Sequence, residues 1–127
     1  MIYIKETEGP VASVVERLEK ASAENKFGVL GVHNLKEKMG AKGVDFAYEC
    51  QVMEVCNPVK AKEVLEGNMS ISTVLPCRIS VYEEDDVVKV ATIRPTMLLN
   101  LLDSPELQDV AKEVEDTLIR IIDTACA

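Results

Sequence analysis

Two short segments carry the residues of this chain that are best suited to chemistry. Cys56-Asn57-Pro58 and Leu75-Pro76-Cys77 each set a thiol near a proline. Because proline interrupts strand pairing, each segment is predicted at a strand end, where a side chain can face a ligand. If Cys77 begins the strand beside the one that ends at Cys56, the two thiols meet at one end of a sheet. Such a pair could bind a soft metal, carry sulfur or change its redox state.

His33 and Arg94 extend this candidate site. His33 is the only histidine, and its predicted place at a strand end would let its imidazole join the cysteines as a metal ligand. Arg94 precedes Pro95, and its guanidinium could bind an anion or a carboxylate. The predicted ligand-binding residues are therefore Cys56, Asn57, Pro58, Pro76, Cys77 and Arg94, and the predicted metal ligands are Cys56, Cys77 and His33.

Each of these residues also has a purely structural interpretation. Free cysteine often packs as a small hydrophobic residue. Asn57-Pro58 suits a strand-to-helix junction, and Arg94 suits an internal ion pair. The chain has no paired-cysteine zinc spacing, no glycine-rich phosphate loop and no HExxH segment. We therefore predict no catalytic residue and leave the cofactor unassigned.

Length, composition and charge limit the classes of protein. A chain of 127 residues with 47% hydrophobic content predicts one folded domain spanning residues 1–127. A net charge of −8 disfavours nucleic acid and anionic membranes as partners, because both repel an acidic surface. No apolar run is long enough to span a membrane, and no secretory signal is recognised at the start. Four cysteines without a signal are expected to be reduced thiols in a cytoplasmic protein.

Hydrophobic periodicity predicts an α+β fold. Strands are predicted over residues 1–6, 27–33, 45–55, 75–82 and 87–94, with Phe46, Tyr48, Cys50 and Val52 on one face of the third. Long helices are predicted over 10–25 and from a capped start at Asp103-Ser104-Pro105-Glu106, and shorter helices after Asn34 and Pro58. An apolar turn is predicted over 97–102.

The order of these elements favours one antiparallel sheet with both long helices packed on one face. Residues 83–86 link the last two strands as a hairpin, which is too short for a parallel crossover.

Between Phe27 and about Pro95 the chain carries, in this order, the segments Phe27-Gly-Val-Leu, Cys56-Asn57-Pro58, Leu75-Pro76-Cys77-Arg78-Ile79 and Tyr82-Glu83. With these segments, this stretch resembles the domain-of-unknown-function family numbered 302. It implies a curved antiparallel sheet with a layout like that of TATA-binding-protein folds, and a homodimer. It implies no reaction, and fold alone does not give function.

Three functions follow as hypotheses. The first is a homodimeric module that binds a small ligand or a soft metal near Cys56 and Cys77. The second is a thiol enzyme or a sulfur- or redox-handling protein, which requires an accessible cysteine of lowered pKa. The third is an interaction or regulatory domain without chemistry, using residues 97–102 or the last helix as its dimer interface.

Overall fold

The computed structural model describes all 127 residues, which form one five-stranded sheet and five α-helices. The strands are β1 (Ile2–Thr7), β2 (Gly28–Asn34), β3 (Cys50–Cys56), β4 (Cys77–Glu84) and β5 (Val87–Ile93). The helices are α1 (Val11–Glu24), α2 (Leu35–Ala41), α3 (Pro58–Gly67), α4 (Pro95–Leu101) and α5 (Gln108–Ala125). Two 3₁₀ turns, Met69–Val74 and Pro105–Leu107, complete the chain.

The sheet is antiparallel throughout, in the order β1-β5-β4-β3-β2. This order brings the start of β2, the end of β3, the start of β4 and the end of β5 to one end of the sheet, which we call the Cys56 end. The register of β2 on β3 shifts between Val29 and Gly31, as expected for a bulge at the glycines of this strand.

The predicted hairpin between the last two strands is confirmed. Glu84 pairs with Val87, which leaves Asp85 and Asp86 as a two-residue loop. Both loop residues have positive φ, 52° and 62°, as a hairpin of this length requires.

Both long helices pack on one face of the sheet, as predicted, and this packing forms the main core. Alternation along β3 and β4 directs Met53, Val55, Ile79 and Val81 toward the helices. The main core comprises fifteen buried residues: Val11, Val14, Val15, Leu18, Ala21, Phe27, Met53, Val55, Ile79, Val81, Val90, Leu118, Ile121, Ile122 and Ala125. The predicted α+β fold is therefore confirmed.

A smaller hydrophobic cluster, the second core, lies beside the main core. It joins α3, the first 3₁₀ turn, α4 and the start of α5 through six buried residues: Val64, Ile71, Leu99, Leu107, Val110 and Ala111. The other face of the sheet carries no helix, and Ile2, Ile4 and Ile93 remain about half exposed there.

The start predicted for the third strand was wrong. β3 begins at Cys50, and Phe46 and Tyr48 form an exposed edge-to-face pair, with ring centroids 5.8 Å apart, in the loop before it. The strand starts later than predicted because residues 45–49 lack neighbouring strands to pair with. β2 turns into α2 after Asn34, which pairs with Gln51, and β4 ends in the hairpin, so residues 45–49 have little sheet to join.

Two local predictions about helices also need correction. Ser104 does not cap the last helix with its side chain, because its hydroxyl accepts a hydrogen bond from Asn68 Nδ2 at 2.8 Å. The chain instead passes through the second 3₁₀ turn before α5 begins. Residues 97–102, predicted as an apolar turn, belong mostly to helix α4.

None of the helices combines the length and the apolar character needed to cross a lipid bilayer.

Candidate functional site

The two predicted thiol segments lie side by side at the Cys56 end of the sheet. β3 ends at Cys56, β4 begins at Cys77, and Val55 pairs directly with Cys77. Because directly opposed residues share a face, Cys77 lies on the helix-covered face with Val55. Cys56 follows Val55 at the last position of β3, one residue from the partner of Cys77, and is close enough to affect the pKa of the Cys77 thiol. The antiparallel pairing of β3 with β4 thus brings together residues that are 21 positions apart in the chain.

Asn57 and Pro58 form the junction between β3 and α3. The Asn57 side-chain oxygen accepts hydrogen bonds from the backbone N–H groups of Val59 at 3.1 Å and Lys60 at 3.2 Å. Pro58 occupies the first turn of the helix, where its missing N–H removes no helical hydrogen bond. Helix capping explains why asparagine and proline occupy these two positions. The cap also fixes the direction in which α3 leaves the sheet.

A cavity of about 210 Å³ lies at the Cys56 end, between the main core and the second core. The main core contributes Phe27 and Val55 to its lining, and the second core contributes Val64, Ile71 and Leu99. The segment around Pro76, whose peptide bond to Leu75 is cis, closes another side. An engineered cavity of roughly 150 Å³ is known to hold benzene, so this volume suits about eight non-hydrogen atoms.

The lining is mostly apolar. Fourteen of its 21 residues are hydrophobic, which favours an apolar ligand body. The threonine hydroxyls at the wall are already engaged, because Thr92 Oγ1 donates to the Arg78 carbonyl and Thr73 Oγ1 to the Ser70 carbonyl, each at 2.8 Å. The remaining polar groups are the two thiols, Asn57 and Lys60. Arg78 borders the cavity with its backbone, because its side chain lies on the helix-free face, where it pairs with Glu54.

The thiols at the cavity are protonated at neutral pH. Burial, and secondarily the nearby charge of Cys56, raises the pKa of Cys77 to about 11. Burial also raises the pKa of Cys56. A nucleophilic cysteine needs a lowered pKa, so neither thiol has the electrostatic surroundings of an activated nucleophile. All four cysteines are free in the structure.

The structure does not bring His33 to the two cysteines, so the predicted three-ligand metal site is not formed. His33 pairs with Val52, whereas Cys56 pairs with Gly28 at the other end of the same two strands. The separation is about 13 Å along β3 (four residues at roughly 3.3 Å each). No group of three or more histidine, cysteine or acidic side chains is arranged to hold a metal ion.

His33 instead belongs to a row of charged side chains on the helix-free face. Its Nε2 lies 2.7 Å from Glu54 Oε1, and its Nδ1 lies 2.7 Å from Lys38 Nζ. The hydrogen bond to His33 is the main cause that lowers the pKa of Glu54.

Arg94 lies near the site but does not line the cavity. Its Nη1 is 3.5 Å from Glu115 Oε2, and its guanidinium lies over the Tyr3 ring, 5.4 Å from the centroid. Glu115 is buried in α5 and also accepts a hydrogen bond from Thr96 Oγ1 at 2.7 Å. This is the internal ion pair of the structural interpretation, and it ties the start of α4 to α5.

Several lining residues were not predicted from sequence. Lys60 and Ala61 come from α3, Val74 from the first 3₁₀ turn, and Leu98 from α4. A signal existed for the missed turn, because Asn68 precedes Ser70 and its side-chain oxygen accepts from the Ser70 backbone N–H at 3.0 Å. No local pattern indicates that α3 and α4 face each other across a space.

Comparisons with known proteins agree with this fold. The chain is similar to a crystallised "uncharacterized conserved protein DUF302 from Bacillus stearothermophilus", with 33% sequence identity and a TM-score of 0.93, covering 99% of this chain and 98% of the other. No protein with a curated description matches the chain. The family described as "Domain of unknown function DUF302" matches residues 3–125. Since this match spans nearly the whole chain, the protein belongs to the DUF302 family.

Proposed function

We propose that the protein is a binding module for a small, largely apolar molecule. The observation that carries this proposal is the cavity of about 210 Å³ between the two cores. A concave, mainly hydrophobic space with a few polar groups has the features of a small-molecule site. The thiols of Cys56 and Cys77 would contact the ligand as weakly polar wall atoms.

The expected affinity is modest because the cavity is small. Each buried methylene contributes about 0.8 kcal/mol, and the loss of ligand freedom on binding offsets part of this gain. For a ligand with about eight carbons, we expect a dissociation constant of roughly 0.1–1 mM. A natural ligand with further polar contacts would bind more tightly.

The proposal is tested by titrating the protein with 1-octanol, a neutral apolar probe, and monitoring its NMR spectrum. Saturable shifts are expected in the unmodified protein. Ala61→Phe places a ring in the cavity from α3 and should weaken binding at least tenfold, whereas Ala12→Phe, on the exposed side of α1, should not. Leu98→Trp, from the wall formed by α4, is a second blocking variant if Ala61→Phe unfolds. Non-saturable shifts, or binding unaffected by both blocking variants, reject the proposal.

A soft metal is the second candidate ligand, because two thiols line one cavity. The site would then consist of Cys56 and Cys77 without His33. Since both pKa values are raised, metal binding must displace protons and should strengthen with pH. Cadmium titration of the reduced protein, followed by thiolate-to-metal absorption, tests this. A signal that survives Cys56→Ser and Cys77→Ser excludes the site.

The thiol-enzyme hypothesis is disfavoured by the same pKa directions. Burial also raises the pKa of Cys126, the third cysteine with a resolved shift. Alkylation rates measured against pH check this hypothesis. A cysteine that reacts rapidly near neutral pH in the folded protein would restore it.

We also propose that the module is a cytosolic homodimer that pairs through the helix-free face of the sheet. Ile2 and Ile93 are paired neighbours on β1 and β5, and Ile4 lies beside them on the same face. The last helix cannot serve as the interface, because its apolar face packs in the main core. A second copy would cover the exposed isoleucines by a symmetric contact.

Sedimentation at micromolar concentration tests the dimer. The unmodified protein should sediment as a dimer, and Ile4→Lys should produce monomers. Val59→Lys is the matched control, because Val59 is also exposed but lies on α3. A monomeric unmodified protein, or a dimer that Ile4→Lys leaves intact, contradicts this interface.

A further inference from the structure

We infer that the outer edge of β2 binds an extended peptide segment of another protein, with acidic ends and an apolar centre, which adds a strand to the sheet. In the strand order β1-β5-β4-β3-β2, β2 ends the sheet and pairs only with β3. All backbone hydrogen bonds of residues 28–33 lie within the sheet, so the outer edge offers free N–H and C=O groups. Main-chain pairing at such an edge is a general mode of peptide recognition.

The residues along this edge are apolar and uncovered. β2 contains no lysine, arginine or acidic residue, and Leu30 and Val32 are 65% and 38% exposed. Its register with β3 is unbroken from Gly31 to Asn34, past the bulge, so this part of the edge is regular. The opposite edge strand, β1, instead carries Lys5 and Glu6. Because charged residues on an edge strand discourage pairing with another chain, β2 is the edge that accepts a partner strand.

Positive charge lies at both ends of the β2 edge. Residues 26–42 contain four lysines and one acid, whereas the whole chain has 14 basic and 22 acidic residues. Lys26 is exposed and precedes the first residue of β2 by two positions. Lys38 of α2 lies at the other end, where its Nζ is 2.7 Å from Nδ1 of His33. Acidic residues at the two ends of a bound strand would therefore lie near lysines, which is the charge complementarity of a specific interface.

The same charges disfavour a second copy of this chain at the β2 edge. Two copies of β2 related by a two-fold axis would pair antiparallel, so the start of each strand would lie beside the end of the other. Lys26 of one copy would then approach Lys38 of the other. Like charges placed together weaken an interface. A segment with acidic ends and an apolar centre matches both the lysines and the apolar residues of the edge.

Three labelled nine-residue peptides test the charge and the pairing separately. The first has the sequence Glu-Asp-Val-Thr-Val-Thr-Val-Asp-Glu. The second has lysine in place of every acid, and the third has two adjacent prolines at its centre, which remove N–H donors needed for pairing. Measured by fluorescence anisotropy, the acidic peptide should bind at least about tenfold more tightly than either of the others. Equal binding of the acidic and lysine peptides, or no binding of the acidic peptide at millimolar concentration, overturns the inference.

Amide hydrogen exchange locates the bound strand. The acidic peptide should protect backbone amides within residues 28–34 and leave the exchange of β1, the other edge strand, unchanged. Protection of β1, or of neither edge, overturns the inference. In the absence of peptide, protection of β2 that rises with protein concentration would show that a second copy occupies this edge, which also overturns it.

Charge reversal identifies the lysines responsible. In Lys26→Glu/Lys38→Glu, the lysine peptide should bind more tightly than the acidic peptide. The matched control Lys62→Glu/Lys112→Glu reverses two exposed lysines on α3 and α5 and should keep the preference for the acidic peptide.

A neutral variant covers the case in which Lys26→Glu/Lys38→Glu does not fold. Lys26→Gln/Lys38→Gln removes both charges and should bind the acidic and lysine peptides within about twofold of each other. An undiminished preference for the acidic peptide in either double variant overturns the inference.

Discussion

The two hydrophobic cores of this protein differ in how completely they are filled. The main core joins the sheet to α1 and α5, and large side chains such as Leu18 and Leu118 have no exposed surface. The second core is smaller, and most of its residues line the cavity of about 210 Å³, whereas only Phe27 and Val55 of the main core do so. Side chains that border unfilled space lose the dispersion contacts that they would make in a filled core. The difference indicates that the sheet and long helices supply most of the stability, whereas the segments from α3 to α4 leave space between them unfilled.

The largest expected effect separates the two cores by stability. Leu118→Ala should lower the free energy of unfolding by about 2–5 kcal/mol, because it opens a void in a filled core. Leu98→Ala should cost no more than about 1 kcal/mol, because Leu98 is half-buried and already borders empty space. Urea unfolding of both variants measures the difference. Equal losses would show that the cores do not differ as described.

A smaller effect concerns the thiol where the cores meet. The pKa of Cys77 is about 11, above its ordinary value of 9.0, so the folded state disfavours the thiolate. The protonated Cys77 thiol therefore contributes to the free energy of unfolding. This contribution is fully present below about pH 9 and is lost as the pH rises through 11. The rise of the pKa from 9.0 to about 11 limits this loss to at most about 3 kcal/mol.

Thermal unfolding between pH 8 and pH 11 tests this contribution against Cys77→Ser, which does not titrate in this range. The melting temperature of the unmodified protein should fall more steeply than that of Cys77→Ser. Cys50→Ser is the control for a cysteine away from the cavity. Parallel curves for the unmodified protein and Cys77→Ser would show that Cys77 is not desolvated.

Loss of the α3 cap should weaken the cavity wall. Asn57→Ala removes the acceptor for two backbone N–H groups and should cost about 1 kcal/mol of unfolding free energy. Because α3 carries Ala61 of the cavity wall, 1-octanol binding should weaken as well. Asn57→Asp, which keeps an acceptor oxygen, should retain both properties. If Asn57→Ala leaves 1-octanol binding unchanged, the cap does not hold the cavity wall in place.

The smallest effect should be a gain in the main core. Ser22 is fully buried in α1, and its hydroxyl has no hydrogen-bond partner. Ser22→Ala removes this unsatisfied group and improves helix propensity, so stability should rise by about 0.5–1.5 kcal/mol. Ligand binding should not change. A loss of stability in urea unfolding would mean that the hydroxyl is satisfied in solution.

Elements with long periodic patterns were predictable from the sequence, since burial on one face dictates the spacing of their residues. The stripe of α1, the last helix and the hairpin linked by residues 83–86 followed from that spacing and from turn length. The structure shortens the link to Asp85 and Asp86. β3 was extended too far because Phe46 and Tyr48 alternate correctly but have no strand to pair with. Alternation reports which residues favour a strand, and pairing depends on neighbours that are distant in the chain.

The site was predictable only in part. Proline positions indicated the strand ends at Cys56 and Cys77, and antiparallel pairing then placed them together. The same reasoning misplaced His33, because the direction of β2 relative to β3 puts the end of β2 opposite the start of β3. The cavity itself depends on packing between α3, α4 and α5, which no local residue pattern encodes.

The central claim is that the space between the two cores holds a small apolar molecule. The most direct measurement is a crystal structure of the protein soaked with 8-bromo-1-octanol, located by the anomalous signal of bromine. We predict a bromine peak in the cavity, between α3 and α4, in the unmodified protein and no such peak in Ala61→Phe. Bromine bound only outside the cavity, or an identical peak in Ala61→Phe, would contradict the account.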